Sequence, residues 1–246
     1  MNVTARRFLL RSFLISAPCF GLLLWFAGAP PGWRQGPVQG VLLALGCLGP
    51  AAAGAAGRRG EKLPGRPGVS PAWGLAVWLL GLHYGLLAVL RLIGPGETAG
   101  GGLPRLVLAA LVLGAQEWGW RGVLQPALEQ GRKAWKATAA VGLIASLWWL
   151  PLLFLPWFPV GADAYLPVAV WLTGLSFLHG ALYRRTGSLP CAALFSAGFF
   201  LLAGLLPPAR TEAFYLSAGL DILLAFLYQS RQVQENAGAG VPAGRS

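Results

Sequence analysis

The feature that most limits how this chain can fold is a succession of apolar segments of near-bilayer length, almost free of charge. They fall at about 13–29, 38–56, 71–92, 106–128, 137–155, 168–183, 189–206 and 213–229. A helix needs about 20 mainly apolar residues to cross the hydrocarbon core, and apolar runs of this length read as helix. The pattern predicts an all-α, polytopic transmembrane helix bundle of about eight spans. Composition agrees: 56% of the 246 residues are hydrophobic and only 11% charged, where a soluble domain carries about 25% charged. One transmembrane bundle over 1–230 is expected, followed by a flexible cytoplasmic tail over 231–246 that ends "NAGAGVPAGRS".

The net charge of +11 is topological. Arg6, Arg7 and Arg11 precede the first span, and Arg58, Arg59, Lys62 and Arg66 follow the second. Arg132, Lys133 and Lys136 follow the fourth, Arg184 and Arg185 the sixth, Arg231 and Arg245 the eighth. The alternate loops hold only Arg34, Arg105 and Arg210. By the positive-inside rule both termini are cytoplasmic, in the plasma (inner) membrane. Membrane lipid is the expected partner of the basic side, and no nucleic-acid motif is visible. The start "MNVTARRFLLRS", with "FAGAP" beyond it, has signal-peptide character. Pro30 directly after the expected cleavage point, and the long apolar run, favour a retained helix. "GRRGEKLPGRPG" (57–68) and "GPGETAGGG" (94–102) read as connectors. Cys19, Cys47 and Cys191 lie in apolar stretches without CxxC spacing. They indicate neither a disulfide framework nor a metal site, and no cofactor is implied.

A charge at mid-helix costs about 2.5–3.5 kcal/mol on insertion scales, so it usually faces the bundle interior. Five residues qualify: His83, Glu117, Arg121, His179 and Asp221. Glu117 and Arg121 are i and i+4 and share a helix face. They form either a packing ion pair or part of a site. Asp221 is either a second partner for Arg121 or Arg91 or a polar contact that locks the bundle, and the two histidines are packing residues or site imidazoles. Counted from the expected span ends, Glu117 lies roughly 18 Å deep at 1.5 Å per residue. Trp149, Ser196, Phe200 and His83 fall at similar depth, so "QEWGWRG", "SLWWLPL" and "LFSAGFF" are expected to meet.

"QEWGWRGVLQPALE", "LWWLPLLF" and "YRRTGSLPCAALFSAGFF" resemble, in order, the three motifs of the CPBP family (CAAX proteases and bacteriocin-processing enzymes, also called Abi). The likeness covers a core of about 105–203. It implies the fold of an intramembrane endopeptidase of the glutamate type. In such enzymes a Glu of the first motif and a His of the second activate water, and a His and an Asn of the third stabilise the oxyanion. A second Glu and an Arg support them. Carried over by position, Arg121 is the motif Arg and Glu117 the second Glu. Gln116 stands at the first Glu, Trp149 at the second-motif His, Ser196 at the third-motif His and Phe200 at the Asn. Gly119, Trp120, Gly122, Pro151, Arg185, Thr186, Gly187 and Ser188 match the frame.

A general base must accept a proton near working pH, and the Gln116 amide does not. Trp149 offers one N–H donor and no acceptor. Phe200 cannot donate to an oxyanion, a loss that typically costs about 10²–10³ in rate. The leading expectation is a catalytically degenerate family member that binds or scaffolds a membrane-bound peptide or protein. The alternative is an active endopeptidase using Glu117 with His83 or His179, although Glu117 points about 100° round the helix from Gln116. A carrier or channel is a third possibility, with few buried charges to support it.

Overall fold

The structure is a computed structural model and describes residues 2–28, 37–57, 73–94, 102–155 and 161–238. Most of both Gly- and Pro-rich connectors, Pro30, the chain end beyond 238, and Arg34, Arg58, Arg59, Lys62, Arg66 and Arg245 lie outside the described residues. Those described are helical, with no strand among them. An isolated bridge joins Ile93 to Pro208.

The helices are α1 (Val3–Ala27), α2 (Pro37–Cys47), α3 (Gly49–Gly57), α4 (Trp73–Val89), α5 (Gly102–Ala115), α6 (Glu117–Gly119), α7 (Gln125–Glu129), α8 (Ala134–Trp149), α9 (Tyr165–Thr186), α10 (Leu189–Leu205) and α11 (Thr211–Gly238). Each of the eight expected segments is therefore helical over most of its length. Among the described residues, four stretches are long and apolar enough to cross a membrane: Val3–Ala27, Ala134–Phe154, Ala162–Thr186 and Thr211–Gln229. The pair α2 and α3, bent by 42°, adds a fifth if it is one broken span. α4 and α10 are 17 residues each, short of about 20. The 106–128 segment, expected as one helix, is interrupted at Gln116.

Local chemistry explains several boundaries. Asn2 caps α1, its side chain accepting from the Thr4 N–H at 2.7 Å. Pro151 has no N–H to continue α8, which tightens into a 3-10 turn over Leu150–Phe154. The "TGSLP" stretch turns α9 into α10. Thr186 donates to the Leu182 carbonyl, and Gly187 takes the left-handed conformation at φ 60°. Ser188 accepts from the Cys191 N–H at 3.2 Å, and Pro190 sits in the first turn of α10.

α9 is the central helix. Its most apolar window is 72% buried, against 28% for α1. It packs between α8 and α11, while α10 packs on α5 and α1 on α2 and α3. The α9–α11 contact depends on a missing side chain: a Cβ on Gly174 would stand 2.5 Å from Ala218 Cα. Close backbone approach through small residues is the usual way apolar helices associate in lipid.

Two sets of contacts define the ends of the molecule. Asn2 donates to Gln130 Oε1 at 2.6 Å, and Arg184 donates to Glu129 at 3.2 Å. The start of α1, the α7–α8 turn and the end of α9 thus share one end, with Lys133 and Lys136 exposed there. The Ile93–Pro208 bridge ties the ends of α4 and α10 together elsewhere.

Candidate functional site

The "QEWGWRG" stretch lies on the interrupted segment. α5 stops at Ala115, and Gln116 forms a turn. After α6 the chain widens into a π turn over Trp120–Leu124. There the Gln125 N–H reaches the Trp120 carbonyl, five residues back. Pro126, one residue on, has no N–H for the Gly122 carbonyl, and its ring crowds that carbonyl, which favours a wider turn here. Such single π turns in α-helices are frequent at functional sites.

Four side chains at four-residue spacing form a polar ladder along this segment, buried at Glu117, Arg121 and Gln125 and half-buried at Glu129. Arg121 Nε donates to Glu117 Oε2 at 3.0 Å, and Arg121 also donates to Gln125 Oε1 at 2.9 Å. Gln125 Nε2 donates to Glu129 Oε1 at 2.8 Å. Across the interface, the Arg121 guanidinium donates to Ser176 Oγ at 3.1 Å, and Ser176 donates to the Thr138 carbonyl. Arg184 closes the ladder on Glu129 and on Thr138 Oγ1, at 3.2 and 2.9 Å. Glu117 and Arg121 are 6% and 3% exposed, so each buried charge has its counter-charge. Gln125, Glu129, Ser176, Thr138 and Arg184 escaped the sequence reading. The four-residue recurrence in "EWGWRGVLQPALE" is the signal that marks two of them.

His179 approaches the same carboxylate from α9. Its Nε2 lies 3.9 Å from Glu117 Oε1, too long for a direct hydrogen bond. Its Nδ1 lies 2.9 Å from the Leu175 carbonyl. A carbonyl only accepts, so Nδ1 carries a proton, and in the neutral tautomer this leaves the Nε2 lone pair facing Glu117.

The motif positions are filled differently. Gln116 is buried and accepts from Trp120 Nε1 at 3.2 Å, while its Nε2 has no hydrogen-bond partner among the described residues. Trp149, from the end of α8, stacks on Phe200 of α10, with ring centroids 5.3 Å apart and planes at 20°. Ser196 Oγ is fully buried, with no hydrogen-bond partner among the described residues. The second- and third-motif segments therefore meet, as the depth argument expects. Where the family pattern has a proton acceptor and an amide, two aromatic faces lie against each other. Neither face can hold a water by hydrogen bonds.

His83 does not join this group. It faces α11, where Nδ1 lies 2.8 Å from Asp221 Oδ1. Asp221 is thus the partner of a histidine, not of Arg121 or Arg91 as the sequence suggests. The reason is helix order: α11 packs on α4 and α9, while Arg121 projects from the π turn toward the α8–α9 interface. Among the described residues no three of His, Cys, Asp and Glu converge as a metal site.

Residues 98–202 match the family model described as Type II CAAX prenyl endopeptidase Rce1-like. The match spans all three motif segments, so this part of the chain is similar to the Rce1-like domains of the CAAX protease (CPBP) family. No curated protein matches the chain.

Proposed function

We propose that this Rce1-like membrane protein is proteolytically inactive, keeps the CAAX-protease frame and acts by binding a membrane-bound peptide or protein. The Trp149–Phe200 stack carries the reading. It fills the two positions at which the family pattern has a water-holding His and an oxyanion-holding Asn. The Gln116 amide, with its oxygen held by Trp120, supplies no base in their place. Glu117 and Arg121 then serve as internal supports.

The same reading takes the chain as eight spans with both termini cytoplasmic, in the plasma membrane. The grouping of Asn2, Gln130, Glu129 and Arg184 at one end supports it, because the sequence assigns all of those segments to one side. A purified-protein assay against prenylated CAAX peptides and a mixed peptide library tests the function. No cleavage above a buffer blank is expected. Turnover that disappears in Glu117→Ala would overturn the proposal.

One observation favours a second reading, the approach of His179 Nε2 to Glu117 Oε1. A carboxylate and an imidazole lone pair at this separation form a proton-accepting pair for an active endopeptidase. Against it, the other carboxylate oxygen is held by Arg121, and both groups are almost fully buried. Equal loss of turnover in Glu117→Ala and His179→Ala would select this reading.

A further inference from the structure

A second polar cluster lies apart from the Gln116 segment, where α4, α9 and α11 meet. Ser217 and Asp221 are four residues apart on α11 and share a face. Both meet His83 of α4. His83 Nε2 is 3.2 Å from Ser217 Oγ, and Nδ1 is 2.8 Å from Asp221 Oδ1. Trp171 Nε1, on α9, is 3.0 Å from the same Ser217 Oγ.

The donor inventory gives the direction of these bonds. An indole N–H only donates, so Trp171 donates to Ser217 Oγ. The single hydroxyl proton is then free for His83 Nε2, which accepts it. The ring proton sits on Nδ1, facing Asp221. That contact has ion-pair length but lies off the hydrogen-bond angle, so the carboxylate acts on the ring through its charge. His83, Ser217 and Asp221 are 1%, 3% and 0% exposed. His83, Ser217 and Trp171 line a cavity together with Tyr84, Leu87 and Leu206. It has room for about one water.

We propose that Ser217, His83 and Asp221 form an acyl-transfer site, with Ser217 the nucleophile and an ester or thioester of a slender aliphatic chain the substrate. Nucleophile, base and carboxylate follow the order of Ser–His–Asp sites, which recur on unrelated folds. The substrate class follows from the surroundings. The cavity walls are mainly apolar, and Leu86, Val89, Tyr215 and Leu216 on the outer faces of α4 and α11 are exposed. In a membrane those faces meet acyl chains. In the reaction Ser217 Oγ bonds to the acyl carbon, the carbonyl π pair moves to its oxygen, and the hydroxyl proton passes to His83 Nε2. Trp171 N–H, which donates to Ser217 Oγ before attack, would pass to that oxygen as the hydroxyl becomes an ester oxygen. Collapse breaks the bond to the alcohol or thiol, which leaves with the proton from His83. A water that enters as the alcohol or thiol departs then attacks the acyl-serine by the same proton route. The acid is released and Ser217 is restored, so ester and water give acid and alcohol with no other reactant.

The test is reaction of the folded full-length protein, in detergent micelles, with an alkyl fluorophosphonate, followed by peptide mass spectrometry. The expected result is loss of fluoride and one phosphonyl adduct on Ser217. Ser217→Ala should take no label. His83→Gln and Asp221→Asn should label at least about ten-fold more slowly, with thermal melts checking that each is folded. The wild-type arm is decisive even if a variant unfolds. A folded wild-type protein that stays unmodified overturns the proposal. So does an adduct that survives Ser217→Ala, or labelling of a folded Asp221→Asn at the wild-type rate.

Discussion

At Gln116, Trp149, Ser196 and Phe200 the chain departs from the family pattern. An amide stands where that pattern has a carboxylate, and two stacked rings stand where it has a His and an Asn. The ring pair has a measurable signature. In a double-mutant cycle with Trp149→Ala and Phe200→Ala, thermal unfolding in detergent should give a coupling of about 0.5–1.5 kcal/mol. Additive losses would show that the stack does not act as a pair. Arg121 has a different role at this scale. It neutralises Glu117 and also donates to Gln125 and Ser176. Arg121→Ala leaves the Glu117 carboxylate buried and unpaired, at an expected cost of about 3–5 kcal/mol. A melting temperature unchanged from wild type would contradict that. Lysine should not restore it, because an ammonium lacks the planar fork that reaches three acceptors.

Among the elements, the interrupted α5–α6–α7 segment matters most. Its break at Gln116 and π turn at Trp120–Leu124 line up Glu117, Arg121, Gln125 and Glu129. α3 holds the break in place. A Cβ on Gly54 would stand 3.0 Å from Gly119 Cα, and a Cβ on Gly119 would run into the Pro50 carbonyl. Gly119→Ala should therefore destabilise by about 1–3 kcal/mol through overpacking. Gly81, on α4, has nothing within 4 Å of an added Cβ. There alanine should be neutral or stabilising by up to about 1 kcal/mol. Comparing the two melts separates backbone contact from helix propensity, and equal shifts would remove the packing role given to α3.

For the whole molecule, the two ends carry the prediction. Lys133 lies at the end shared by the α1 start and the end of α9, while Asp163 precedes α9 at the opposite end of that helix. In a cysteine-free background, Asp163→Cys in intact spheroplasts should react with an impermeant maleimide. Lys133→Cys should react only after the membrane is opened. The reverse pattern would invert the orientation read from the basic residues. The two clusters of buried polar side chains also divide the molecule. One runs along α6, α7, α8 and α9, the other joins α4, α9 and α11. Phe199 lies beside His83 of the second cluster and against Phe200 of the aromatic stack, with ring centroids 5.0 and 6.0 Å apart.

The sequence by itself determined the all-helical, membrane character, the place of the eight helical segments and the three motif segments. Those depend on local quantities: the length of an apolar run, the turn chemistry of "TGSLP" and the residue type at a motif position. Even the Glu117–Arg121 pair was legible, because i and i+4 meet on any helix. Only the tertiary structure decided which distant groups touch. Asp221 went to His83, His179 to Glu117, and Ser176 and Arg184 completed a ladder whose far members no spacing reveals. The break at Gln116 was likewise hidden, because its apolar neighbours satisfy a helical pattern whether or not the backbone turns there. A pairing across helices depends on helix order and rotation. Those are set by where backbones can approach, as at Gly174 and Ala218, and small-residue contacts of that kind leave no periodic mark in a chain this apolar.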